Sequence, residues 1–279
     1  MDFNSKKLDL LLANTGDMAL KRRAGKIVEG INPLKGDRIL EVGCGDGFYL
    51  HLISNLNIKN LILYGVDFDK NSLKSAKKNL KGKKVKLLYA DLMQKLPFKS
   101  GMFDKIIMSE VAEHLPNDLK GFSEVKRVLK KGGTLLVTVP NQNYPFLWDP
   151  VNWIAERLFK THIRSGFWAG LWNQHLRLYR PDDIKKTIKK AGYKVGEVSS
   201  LTWWCLPFNH YLVNLTARAI HSGKLDPKIK AVVNKYEMKI KRPHLLELAF
   251  FVAQTIDMLN DIFPVKNSGV GVFVSAEKP

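Results

Sequence analysis

The sequence predicts an α/β chain built on a seven-stranded, mostly parallel sheet, with helices on both faces and a helical cap formed by two insertions. Three observations predict it. Short apolar runs alternate with amphipathic ones from residue 38 to residue 141. A glycine-rich turn, Gly43, Gly45 and Gly47, stands directly between the first apolar run and the helix that follows it. Asp67 and Asp91 close the second and third runs. Alternation of this kind builds βαβ units, whose strands run parallel.

Taken in order, residues 1–36 read as a helical lead-in with apolar positions at helical spacing, ended by Pro33 and Gly36. Strands are expected at 38–43, 61–67, 85–91, 103–110 and 134–141, each a short apolar run. Helices are expected at 48–56, at 71–82 with Gly82 as its stop, and at 119–133 with a Gly-Gly stop. Residues 142–180 break the rhythm with an aromatic-rich insertion that contains Tyr144, Phe146, Trp148, Trp153 and Trp172. The alternation resumes with a helix at 181–193, opened by Pro181 and closed by Gly192, and a sixth strand at 193–200. A second insertion, 201–265, is helical by pattern, and the last strand falls at 270–279 within a final segment, 266–279. One cofactor-binding core (37–141 with 181–200) carrying two insertions is therefore expected, not two independent domains.

Composition excludes several classes. With 45% hydrophobic and 25% charged residues, the chain is an ordinary globular protein, neither collagenous nor largely disordered. Two cysteines, Cys44 and Cys205, cannot form a disulfide framework or a zinc ribbon. No signal-peptide pattern or spanning apolar stretch is legible, so a cytoplasmic chain is expected. The formal net charge is +19, with a local run of Lys74, Lys77, Lys78, Lys81, Lys83, Lys84 and Lys86 free of acids. Such a basic protein favours anionic partners, RNA or anionic lipid among them, or simply presents a solvated lysine face.

The chemistry concentrates in ILEVGCGDGFYL, residues 39–50. Glycines after a strand permit φ > 0 and close approach of a ligand to the backbone, and the helix start adds free N–H groups. Asp67, 24 residues after Gly43, is placed to accept both hydroxyls of a ribose. A dinucleotide fingerprint requires a third glycine where Phe48 stands, which disfavours a nicotinamide oxidoreductase.

These motifs, with FDKIIMSEVAEHLPN (103–117), KKGGTLLVTVPN and QHLRLYRPDDIKKTIKKAGYKV, resemble the class I S-adenosylmethionine-dependent methyltransferases, within them the small-molecule and ubiquinone-biosynthesis-like subgroup. The resemblance covers about 38–200 plus the last strand. It implies a Rossmann-like fold and S-adenosyl-L-methionine as cofactor. It places Glu41, Gly43, Cys44, Gly45 and Gly47 against the methionine part of the cofactor, and Asp67 on the ribose. Phe68 flanks the adenine, Asp91 and the Leu92 N–H meet its base edge, and Ser109 joins the cofactor-binding set.

Methyl transfer from a sulfonium is an in-line displacement, so the protein mainly positions its reactants and excludes water. An oxygen nucleophile can also need a base, and His114, just beyond the fourth strand, is the candidate catalytic residue. No metal is the first expectation. The alternative is a divalent ion on Glu110, Glu113 and His114, an E-x-x-E-H string of hard and borderline ligands, with His162 or His175 as a fourth.

The favoured acceptor is a small or lipid-like molecule entering beneath the aromatic cap. Trp203, Trp204, Phe208 and Tyr211, with seven basic residues over 224–242, point to peripheral contact with an anionic membrane surface. No stable protein partner is implied. The rival readings are an RNA methyltransferase, supported by charge but by no RNA-binding module, and a non-catalytic scaffold on a cofactor fold, whose mark would be a broken cofactor position.

Overall fold

The computed structural model describes residues 5–211, 215, 234–237 and 242–279. Part of the second insertion, including most of the basic stretch at 224–242, lies outside the described residues.

Seven strands form one sheet: β1 (Arg38–Val42), β2 (Ile62–Asp67), β3 (Val85–Tyr89), β4 (Phe103–Ser109), β5 (Leu129–Pro140), β6 (Lys194–Leu201) and β7 (Gly271–Glu277). Their order is β3-β2-β1-β4-β5-β7-β6. The first five pair in parallel, while β7 runs antiparallel between β5 and β6. The strand order reverses at β1 and β4. Beyond the carboxyl ends of strands at such a reversal, connecting loops diverge to either side and leave a crevice for ligand.

Strand alternation divides the core between the two faces. Leu40, Ile106, Met108, Leu135 and Val137 pack with α5 (Asp118–Val128) and α7 (Pro181–Lys190), through Phe122, Val125, Ile184 and Ile188. Their neighbours Ile39, Leu63, Ile107 and Leu136 pack on the opposite face. There they meet α1 (Ser5–Leu11), α2 (Met18–Ile31), α3 (Phe48–Ser54) and α4 (Lys70–Asn79).

The lead-in forms two helices, and the Asp17 carboxylate caps α2 by accepting from the Ala19 and Leu20 N–H groups. One local expectation is corrected. The fifth helix stops at Val128, and Leu129–Gly133 belong to β5. The Gly132 N–H donates to the Lys278 carbonyl and the Lys278 N–H to that of Gly133, so pairing with the end of the chain overrides the local helix signal.

The aromatic insertion folds as α6 (Pro150–Phe159) followed by a short 3-10 turn, Phe167–Trp172. Buried Asp149 organises it, accepting from the Asn152 and Leu171 N–H groups and from the Tyr211 hydroxyl. Tyr144, Trp148, Leu171, Trp172 and Cys205 form a third apolar cluster there. The second insertion contributes α8 (His244–Ile262), clasped to α2 by Arg22, which bonds the carboxylates of Asp257 and Asp261. No described helix is long and apolar enough to cross a membrane.

Candidate active site

The turn after β1 is shaped by close packing. Gly43 has φ +68°, and a Cβ there would lie 2.4 Å from Cγ2 of Val111, so the turn after β4 rests directly on this glycine. Gly45 has φ +50° and open space where its Cβ would stand. Gly47 caps α3. The Cys44 N–H donates to the Val66 carbonyl at 2.9 Å, tying the turn to β2. Burial pushes the Cys44 thiol well up, leaving a neutral packing residue.

Asp67, 8% exposed, ends β2 with one carboxylate oxygen on the Gly45 N–H and the other on the Asp69 N–H, each at 2.8 Å. Phe68, next to it, is exposed. Asp91 follows β3 and accepts from the Met93 N–H at 2.8 Å, beside buried Leu92. Glu41, on β1, is buried, and one of its carboxylate oxygens has no hydrogen-bond partner. Burial, then the nearby carboxylates of Asp46 and Asp67, drive its pKa well above the ordinary carboxylate range. An open glycine, an aspartate at the end of β2 and an orphaned buried carboxyl fit a polar, hydroxyl-bearing ligand laid along the ends of β1 to β3.

Ser109 ends β4 inside a buried chain of hydroxyls, 2.9 Å from the Tyr49 hydroxyl and 2.7 Å from that of Thr138. Thr138 donates to Glu110, and the second Glu110 oxygen meets Arg23 at 2.7 Å. Glu110 has φ +56°, a left-handed conformation that costs a non-glycine residue roughly 1–2 kcal/mol. These two partners hold it there. Burial alone would lower the Arg23 pKa, but the Glu110 charge, with Tyr49 and Asp17, raises it beyond the ordinary guanidinium value.

Sequence reasoning missed Arg23, Tyr49 and Thr138. Arg22 and Arg23 are indistinguishable in the string LKRRAG, although one clasps α8 and the other reaches the active-site network. It also missed Asn234–Glu237, which dock on the glycine turn. Lys235 pairs with the Asp46 carboxylate at 2.8 Å, and the Tyr236 hydroxyl donates to the Asp46 carbonyl at 2.9 Å.

Residues 40–137 match a family model described as a methyltransferase domain. The demethylmenaquinone methyltransferase of Staphylococcus aureus is 27% identical over 186 residues, 63% of this chain and 76% of that protein. The chain carries a class I S-adenosylmethionine-dependent methyltransferase domain. Solved structures share the fold. Phosphoethanolamine N-methyltransferase 2 of Haemonchus contortus, in complex with S-adenosyl-L-methionine, superposes with TM-score 0.54 and 20% identity, over 92% of this chain and 52% of that one. A protein solved in complex with the Haloferax volcanii Trm112 methyltransferase activator gives 0.53 and 15%, over 99% and 95%.

The methyltransferase's second cluster of titratable groups lies in the turn after β4. Glu113 is wholly buried, and neither carboxylate oxygen has a hydrogen-bond partner. Its Oε1 lies 3.8 Å from His114 Nε2 and 4.0 Å from His175 Nε2. Burial, then Glu110, pushes the Glu113 pKa well up, while burial, then His114, pushes that of His175 down. His114 Nδ1 lies 3.1 Å from the Gln174 carbonyl, and in the neutral imidazole donation there would put the lone pair on Nε2. The residues named for an ion from the sequence are divided. Glu110 is engaged with Arg23 and Thr138 and lies outside the cluster, and His162 stacks on Trp172 at 3.7 Å. His175 takes the place beside Glu113 and His114. The Leu176 N–H donates to the Glu113 carbonyl at 3.0 Å, joining this turn to the aromatic insertion.

Proposed function

We propose that this methyltransferase acts on a small-molecule or lipid-like acceptor that meets the cofactor between the turn after β4 and the aromatic insertion. The observation that carries the reading is the apolar cluster of Tyr144, Trp148, Leu171 and Trp172, in the insertion that the Glu113–Leu176 bond fastens to the turn. An aromatic insertion packed beside the turn suits a flat or apolar acceptor better than a phosphate backbone, which calls for clustered cations. The Staphylococcus aureus relative, named for demethylmenaquinone, supports the same class.

S-adenosyl-L-methionine supplies a methyl group already activated on a sulfonium. In this reading Glu41, Gly43, Cys44, Gly45, Gly47 and Ser109 line its methionine end. Asp67 accepts from the ribose hydroxyls, Phe68 covers the adenine, and Asp91 with Leu92 meets the base edge. Arg23 and Thr138 fix Glu110, and Glu110 fixes the direction of the turn that carries His114. The His114 Nε2 lone pair takes the proton of an oxygen acceptor.

The unpartnered oxygens of Glu113 favour a second role for the same turn, a divalent cation held by Glu113, His114 and His175. Their ligand atoms lie within 4.8 Å of one another, against about 3.4 Å between ligands of a tetrahedral ion. Shifts of about an ångström would close the difference. The ion would occupy Nε2, so it and the base role exclude each other. Titration with Co²⁺ decides: one visible-absorbing site per chain that disappears in His175→Ala and persists in His162→Ala supports the cation, and no saturable site leaves His114 as base.

For the acceptor, the protein is incubated with methyl-labelled cofactor and separate lipid, small-molecule and RNA extracts. Label in the lipid or small-molecule fraction is expected. Label confined to RNA would replace this reading with the RNA-methyltransferase one.

A further inference from the structure

The helix α8 is amphipathic the wrong way round for a surface helix. Its protein-facing side is polar: Asp257 bonds Arg22, which exposed Asp261 also reaches from the helix edge, and the Asn260 side chain accepts from the Trp203 and Trp204 N–H groups and donates to the Trp204 carbonyl. Phe250 is its one fully buried apolar residue among those described. Its opposite side carries Leu245, Leu248, Phe251, Val252, Met258 and Ile262, all between 42% and 80% exposed. At 100° per residue these six fall within a single arc of roughly 140°, and no Asp, Glu, Lys or Arg falls inside it. Phe263, just past the helix, extends the stripe and is also exposed.

We infer that this outer face of α8 is a docking surface for an anionic membrane, which the helix meets lying flat. Length and charge favour this occupant. Nineteen residues at about 1.5 Å each give a stripe about 28 Å long, suited to rest along the headgroup boundary. The helix does not meet the length and hydropathy needed to cross the bilayer. The chain is strongly basic, +19 overall, and the 19 residues before Pro243 hold seven Lys and Arg against two acids. Cations near an anionic surface add attraction that salt screens. On α8 itself, Asp257 and Asp261 share Arg22, and they and Glu247 all fall outside the apolar arc. Of the aromatic residues expected from the sequence to meet the membrane, Phe208 is exposed. Tyr211 is buried on Asp149, and the Trp203–Trp204 backbone is bound to Asn260 behind the helix.

The test is flotation of the full chain with vesicles of phosphatidylcholine containing about 30% phosphatidylglycerol, at low and high salt, beside pure phosphatidylcholine vesicles. The wild-type protein should float with the anionic vesicles, less so as salt rises and the Debye length shrinks toward about 3 Å at 1 M. The double substitution Leu248→Ser/Phe251→Ser removes two exposed side chains, so folding and cofactor affinity should stay unchanged. Vesicle partitioning should fall on the order of 30-fold. Wild-type protein that stays unbound at low salt overturns the inference, and so does binding that the double variant retains. A concentration-dependent dimer that the same substitutions abolish, measured by light scattering, overturns it in favour of a second copy of the chain. None of these outcomes depends on which acceptor is methylated.

Discussion

Substituting Gly43 and Gly45 separately by alanine should separate folding from ligand approach within one turn. Both positions have left-handed φ, +68° and +50°, so alanine costs about 1–2 kcal/mol at each. They differ in what the new methyl meets. At Gly43 it would lie 2.4 Å from Cγ2 of Val111, about 1.3 Å inside ordinary carbon contact, so the turn after β4 must move. Overpacking of that kind adds about 1–3 kcal/mol. Gly43→Ala should therefore lower unfolding free energy by about 2–5 kcal/mol, and adding Val111→Ala should restore only the packing share. At Gly45 nothing lies within 4 Å, so stability should fall by no more than about 2 kcal/mol. Its methyl instead projects into the space assigned to the cofactor, and S-adenosylmethionine affinity should fall further than stability does. Denaturant titration and calorimetry read the two quantities independently. Equal stability losses in the two variants, with cofactor affinity intact in Gly45→Ala, would refute the packing argument and the placement of the ligand together.

Three further outcomes are expected. Asp67→Ala should weaken S-adenosylmethionine binding by about 1.5–3 kcal/mol through loss of a charged hydrogen-bond acceptor, and unchanged calorimetric affinity would remove Asp67 from the ribose. Glu41 has a raised folded pKa, so its protonated form stabilises the fold below the unfolded value near 4.5, and that share is lost as pH rises toward the folded pKa. Glu41→Gln escapes this loss: its unfolding free energy relative to wild type should improve between pH 5 and pH 8, and a pH-independent difference would show that Glu41 titrates normally. Arg22→Ala should cost about 1–3 kcal/mol locally and speed amide exchange in α8 while the sheet amides stay protected. Unaltered α8 exchange would mean that the clasp does not hold the helix.

The sheet was legible because its signals are local. Each strand is a short apolar run and each βα turn carries its own glycine or acid, so each of the seven runs lies in a strand, although β5 begins five residues before its own. The Lys130–Gly133 segment was misread because its partner, Lys278, lies at the far end of the chain, where no window of sequence shows it. The positions of Gly43, Asp67 and Asp91 were legible for the same local reason, being fixed to strand ends. Arg23, Thr138 and His175 reach the site from α2, β5 and the aromatic insertion, and only packing brings them there. His162 and His175 show the limit most plainly. Both are histidines in one aromatic segment, and the stacking of His162 on Trp172 decides which of them reaches Glu113.

The turn after β4 explains how one fold can carry both ends of the proposed reaction. Val111 packs on Gly43 and so registers the turn against the glycine loop. Glu110, one residue earlier, is kept in a strained left-handed conformation by Arg23 and Thr138. Strain at such a position persists only where the surroundings over-determine it. Here the hydroxyl chain from Tyr49 through Ser109 to Thr138 supplies that support from inside the sheet. Glu113 and His114, three and four residues on, bond to Leu176 and Gln174 in the aromatic insertion. Within five consecutive residues, Glu110 meets the buried network, Val111 the glycine loop, and Glu113 and His114 the cap. A displacement of Val111 by a methyl on Gly43 would be passed along this short, rigid segment to His114. Cofactor-side and acceptor-side defects in the turn should therefore appear together, whereas substitutions on the outer face of α8 should leave both untouched.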